Sequence, residues 1–73
     1  MLDFRLMSGA SVLLTVWRGS TIDNVKTVIQ DNLGIPSAQQ RLIFQDREMQ
    51  SGYSVWEFDL EHLDIVNIVV LAP

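Results

Sequence analysis

TIDNVKTVIQDNLGIPSAQQRLIF, residues 21–44, holds a helix start, a helix stop and a strand in one short run. Thr21 stands where an N-cap belongs, because its hydroxyl can accept from a free backbone N–H of the first turn. Asp23 adds negative charge at the positive end of the helix dipole. Ile22, Val25, Ile29 and Leu33 then recur at helical spacing, with Asp23, Lys26, Thr27, Gln30 and Asp31 on the remaining faces. A single apolar stripe on an otherwise polar helix predicts a helix lying on a core. Gly34 suits the left-handed conformation of a C-cap, and Ile35-Pro36 stops any continuation. Beyond it, Arg41-Leu42-Ile43-Phe44 predicts a strand with Leu42 and Phe44 on one face and Ile43 on the other.

Upstream, Leu2, Phe4 and Leu6 alternate with Asp3 and Arg5, the period of a half-buried strand. Ser8-Gly9-Ala10 breaks the run, and Val12, Leu14 and Val16 resume it. Two alternating runs about a short glycine-containing loop predict a β-hairpin. Leu13 and Trp17 fall on the opposite face from that core set. Downstream, Gln45-Asp46-Arg47 is expected to turn the chain into a very short strand around Glu48 and Met49. Residues 50–63 keep no period; Val55, Phe58 and Leu60 suit a loop with one helical turn that plugs the end of the core. Residues 65–71, IVNIVVL, form a nearly continuous apolar run rich in β-branched side chains. Such a run fits a central strand, either buried on both faces or carrying an apolar exposed face.

This order of elements predicts an α+β roll, a mixed sheet of four to five strands with one helix packed across it and the last strand beside the first. Its interior is expected to join Ile22, Val25 and Ile29 to Leu2, Phe4, Leu14, Leu42 and Ile68.

Composition narrows the chemistry. Seventy-three residues suit one small domain. A core of that size rarely leaves more than about 3–5 kcal/mol of net stability. There is no cysteine, so disulfides and thiolate metal sites are excluded, and the lone His62 cannot build a four-ligand zinc site. No cofactor is expected. The net charge of −4 contains no run of either sign, and Arg5, Arg18, Lys26, Arg41 and Arg47 are scattered rather than set in the basic stripe that nucleic acid requires. No stretch approaches a membrane span in length, and no basic-then-apolar leader opens the chain. A soluble monomer, without nucleic-acid or membrane partners, is the expectation. Enzyme activity is not expected: the serines sit in turn-like stretches, no glycine-rich phosphate loop exists, and His62 beside Glu61 and Asp64 reads as a solvated loop histidine. Asp46 and Glu48 read as a solvated acidic pair in a turn.

The segments Thr21-Ile22, Asn24-Val25-Lys26, Ile29-Gln30-Asp31, Gly34-Ile35-Pro36 and Gln39-Gln40-Arg41-Leu42-Ile43-Phe44 resemble the ubiquitin family. Gly9, Leu14, Val16, Gly52 and Val69 extend the resemblance without gaps along the chain. It implies the β-grasp fold. It also implies a protein-binding patch on the sheet at Met7, Ile43 and Val69, with Asn67 where the family carries histidine, and helical ubiquitin-binding domains as partners. Read without the family, the same residues are the apolar half of a sheet face.

Departures from the family are equally legible. Conjugation in the family uses a tail ending in two glycines, where this sequence reads Leu71-Ala72-Pro73, with Leu71 at a family basic position. The resemblance therefore implies a chain that is not conjugated. Of the family's chain-extension lysines only Lys26 is kept; Arg5, Ala10, Val28, Asn32, Arg47 and His62 stand at the others. Arginine keeps the charge but is no acceptor for an isopeptide bond. Phe58 replaces a family tyrosine whose hydroxyl ties down the preceding loop. Leu6, Leu13, Trp17, Val28, Leu33, Trp56, Leu63, Ile65 and Leu71 occupy outward positions that are polar or charged in the family. Two identities follow as expectations. One is an engineered or redesigned scaffold on the ubiquitin backbone, without a dedicated activity. The alternative is a natural ubiquitin-like domain excised from a larger protein, docking helical partners through the sheet patch.

Overall fold

The alternation and capping signals produce five strands and one helix in a computed structural model, which describes residues 1–72; Pro73, the end of the tail considered above, lies outside them. Strand β1 (Leu2–Leu6) and strand β2 (Ser11–Leu14) form the hairpin, with Leu2 opposite Leu14 and Phe4 opposite Val12. Gly9 takes φ 96° in the connecting turn, a conformation that a Cβ would strain. Helix α1 (Ile22–Leu33) crosses to strand β3 (Gln40–Phe44), which turns into β4 (Arg47–Glu48), and β5 (Ile65–Val70) closes the sheet. The sheet order is β2-β1-β5-β3-β4, with β5 parallel to β1 and antiparallel to β3. Placing the last strand in the centre satisfies its backbone on both sides. A mixed sheet grasping one helix in this order is the β-grasp arrangement.

Helix α1 is held at both ends as its sequence requires. Thr21 Oγ1 accepts from the Asn24 N–H at 3.1 Å, and Gly34, at φ 76°, donates its N–H to the Gln30 carbonyl at 2.8 Å. Ile22, Val25 and Ile29 are buried in one cluster with Leu2, Phe4, Leu14, Leu42 and Ile68, the expected interior, completed by Phe44, Met49, Val55, Phe58 and Val66. Full burial of such a side chain contributes about 1.5–3 kcal/mol. One polar residue joins them. Gln40 is buried, and its Nε2 donates to the carbonyls of Lys26 and Ile35, each at 2.9 Å, so it ties β3 to the helix and to the segment after it.

Three details differ from the sequence reading. Strand β2 stops at Leu14 rather than reaching Val16, although Val16 still packs against the core. Strand β4 is Arg47–Glu48, one residue earlier than expected. Gln45 (φ 50°) and Asp46 (φ 65°) both take the left-handed conformation of a tight two-residue hairpin, which brings Arg47 straight into register with Phe44. Met49 has left the strand and is buried. Leu6 and Leu33, set among the outward positions by the family pattern, are half-buried against the core. The apolar run of β5 takes the second of its two expected forms, a central strand with an exposed face: Val66 and Ile68 point inward, whereas Ile65 and Asn67 are exposed and Val69 is half-buried.

The segment between β4 and β5 contains one 3₁₀ turn (Val55–Phe58) whose Val55 and Phe58 plug the core, with Leu60 packed beside them. Ser54 and Glu57 cap it reciprocally, the Ser54 N–H donating to Glu57 Oε2 at 2.6 Å. The buried Phe58 ring is bordered by Tyr53 edge-on at 5.9 Å and by the Arg47 guanidinium at 5.3 Å. Among the described residues no helix is long and apolar enough to cross a membrane.

Candidate functional site

One face of the sheet carries the helix; the other is open. Register places the outward residues in rows across that open face. Arg5, Asn67, Ile43 and Glu48 form the middle row, because Asn67 is opposite both Arg5 and Ile43, and Ile43 is opposite Glu48. Val69 lies opposite Arg41 in the next row. Ile43 and Val69 are thus diagonal neighbours on adjacent strands, a separation of about 7–8 Å in sheets generally and within reach of branched side chains. Met7 comes one residue after the last β1–β5 pair, Leu6 with Ile68, at the mouth of the hairpin. Of the four residues singled out from the sequence, Ile43 and Val69 are half-buried, Asn67 is exposed, and Met7 is 88 % exposed.

Two ion pairs flank these residues. Arg41 Nη2 lies 2.6 Å from Glu48 Oε1, and Arg5 Nη2 lies 3.0 Å from Asp3 Oδ2. The hydrogen bond to Arg41 holds the Glu48 carboxyl below the usual range, and the reciprocal bond raises the already high Arg41 value. Because each guanidinium is engaged by a neighbouring carboxylate, the rim is close to neutral. Asp3 Oδ1 is buried without a hydrogen-bond partner, and Asp3 is flanked in register by Leu13 and Ile65. Those two side chains, 53 % and 41 % exposed, carry the apolar surface past Asp3 towards the other end of the face.

The sequence reading missed the ion pairs. It placed Glu48 with Asp46 in a turn, whereas Glu48 bonds Arg41 on the open face and Asp46 is an exposed turn residue. The signal lay in the alternation, since Arg41 and Ile43 share a face once β3 is recognised. A two-residue turn then brings Glu48 opposite Ile43. His62 is exposed, and the Asp64 carboxylate beside it accepts from the Glu61 N–H at 2.7 Å, so it is spent on closing the turn. Among the described residues no cluster of His, Cys, Asp and Glu is arranged to hold a metal ion.

A mixed sheet in the order β2-β1-β5-β3-β4 with one helix across it is the β-grasp fold of a ubiquitin-like domain. The Ubiquitin family model matches residues 2–73. The chain belongs to the ubiquitin family.

Proposed function

We propose that this chain is a non-enzymatic interaction domain whose open sheet face docks a helical partner through Met7, Ile43 and Val69, with Asn67 as the polar contact. The observation that carries this reading is Met7, a long unbranched side chain left 88 % exposed in the turn that follows β1, with the half-buried β-branched Ile43 and Val69 on the open face. Exposed methionine adapts to the irregular surface of a packed helix, and contiguous apolar patches tend to be interaction sites. Partners of this kind are three-helix ubiquitin-associated domains. The neutral, internally paired rim supports binding that changes little with salt, because few free charges are available to screen.

The test is a titration of labelled protein with a three-helix ubiquitin-associated domain, following the amides of Met7, Ile43, Asn67 and Val69. Saturable shifts at these four, weakened severalfold in Met7→Ala, are expected. Absence of any shift at millimolar partner would end this reading.

A second reading has a specific observation behind it. Caps, turn residues and core positions all agree with one fold, the consistency expected of a sequence redesigned on the ubiquitin backbone for folding alone. Against it stand Trp17 (74 % exposed), Trp56 (59 %) and Leu13 (53 %), since design for folding and solubility removes large exposed apolar groups. Thermal unfolding separates the two. A cooperative transition with a high midpoint, from an isolated monomer that binds no helical domain, favours the scaffold.

A further inference from the structure

Three methionines and no cysteine make thioethers the only sulfur groups in this chain. A peroxide therefore meets no thiol that would react first. The three methionines differ in their surroundings. Met49 is 1 % exposed and belongs to the core, whereas Met1 is 45 % exposed and Met7 is 88 % exposed, outside the core cluster. Other residues hold the turn that carries Met7. The Leu6 N–H donates to the Ala10 carbonyl at 2.8 Å, and the Gly9 N–H donates to the Leu6 carbonyl at 3.0 Å. The fold is thus held without the Met7 side chain, whose chemistry can change while the sheet stays as it is.

We propose, on the basis of the open-face docking above, that Met7 is a modification site, oxidised reversibly by peroxide to a sulfoxide that switches the docking off. In the forward step a sulfur lone pair attacks one peroxide oxygen and the O–O bond breaks. That oxygen stays on sulfur, its proton passes to the departing hydroxide, and water leaves. Sulfur gives up two electrons and the peroxide takes them. In the reverse step a thiol-dependent sulfoxide reductase supplies two electrons from a pair of thiols, which become a disulfide, and the oxygen leaves as water. Access to sulfur governs the forward rate and selects Met7 over the buried Met49.

The effect on docking follows from polarity. A thioether is an apolar, adaptable contact, whereas a sulfoxide oxygen is a polar hydrogen-bond acceptor. The apolar face of a helix would strip that oxygen of water and offer it no donor, which costs binding free energy. The two guanidinium groups flanking the patch are already engaged, Arg41 by Glu48 and Arg5 by Asp3. Ile43 and Val69 are hydrocarbon and Asn67 is an amide, so of the four patch residues Met7 is the one that peroxide addresses.

The test treats folded, labelled protein briefly with dilute hydrogen peroxide and maps the sulfoxides by mass spectrometry. Treated and untreated protein are then titrated with the three-helix ubiquitin-associated domain. Met7 is expected to gain one oxygen ahead of Met1 and about tenfold or more faster than Met49, with the core methyl spectrum unchanged. The sulfoxide form is expected to bind the helical domain about tenfold or more weakly, and sulfoxide reductases acting on both epimers to restore the binding. In Met7→Leu, treated and untreated protein are expected to bind alike, because the reactive sulfur is gone. Oxidation of Met1 or Met49 as fast as Met7, a loss of binding that Met7→Leu shares, or a loss that the reductases do not reverse overturns the proposal. Binding that persists undiminished in the sulfoxide form overturns the switch alone. Untreated protein that itself fails to bind overturns the docking reading, and the switch with it.

Discussion

Gln40→Glu is the substitution whose consequence the geometry defines most sharply. The Gln40 amide nitrogen donates to two carbonyls, those of Lys26 and Ile35, at 2.9 Å each, from a side chain 2 % exposed. A carboxylate is the same size and has no donor. It would meet two carbonyl oxygens with like partial charge in a site water does not reach. The two lost hydrogen bonds are worth about 0.5–1.5 kcal/mol each. Leaving a buried charge uncompensated costs about 3–5 kcal/mol. A domain of this size holds a margin of only about 3–5 kcal/mol, so the variant is expected to be largely unfolded at neutral pH. The pH dependence follows from the sign of the shift. Burial and the two carbonyls raise the introduced carboxyl above its unfolded value of about 4.3, so the folded state binds the proton more tightly. The variant's stability is therefore retained below the unfolded value and is lost as pH rises through the folded one. Urea unfolding of the variant and its parent at pH 7 and pH 4 reads this directly. A gap of less than about 1 kcal/mol at pH 7, or a gap that does not shrink at pH 4, would refute the reasoning; the side chain would then have turned out to solvent.

Other outcomes are expected from single contacts. Thr21→Ala removes the helix cap and is expected to cost about 1 kcal/mol. That loss would appear as a fall of roughly 4–8 °C in thermal midpoint for a domain of this length. Leu63 takes φ 67° while 51 % exposed, so Leu63→Gly is expected to raise stability by about 0.5–1 kcal/mol in urea unfolding. Unchanged or lower stability would show that its remaining contacts outweigh the strain. The Glu48 carboxyl, lowered by its hydrogen bond to Arg41, contributes stability above its unfolded value that is lost as pH falls through the folded one. Its carbon-detected titration is expected to move up towards the ordinary value in Arg41→Gln, and an unmoved midpoint would assign the shift elsewhere. Amide exchange in residues 50–54 is expected to outpace that of α1, because the loop before Phe58 has no tyrosine hydroxyl to hold it and the Tyr53 N–H reaches the Gln50 carbonyl only at 3.4 Å. Equal protection in both would remove the structural meaning of that replacement.

The helix was legible because each of its signals is local. Thr21, the stripe from Ile22 to Ile29 and Gly34 act within a few residues of themselves, and all three appear where they were expected. The third strand and the central place of the last one were legible for a related reason, since the alternation of Leu42 and Phe44 and the apolar run of residues 65–71 are also properties of short segments. Position in a sheet obeys other rules. Leu6 and Leu33, outward by the family pattern, lie half-buried because neighbouring elements cover them, as their own alternation and stripe implied. Gln40 drew no structural reading of its own, yet pairing with β5 sets it under the helix, where its amide donates to two carbonyls. Glu48 left its apparent partner Asp46 because a two-residue turn rotated the strand by one position.

Sequence alone determined the fold class, the helix limits, most of the core and the family, because period, caps and turn residues are properties of short segments. Tertiary structure decided which side chains meet across strands: Ile43 opposite Asn67, Val69 opposite Arg41, and the ion pairs beside them. The physical reason is register. A shift of one residue in pairing exchanges the two faces of a strand, and register is set by burial summed over the whole sheet rather than by any residue's neighbours in the chain.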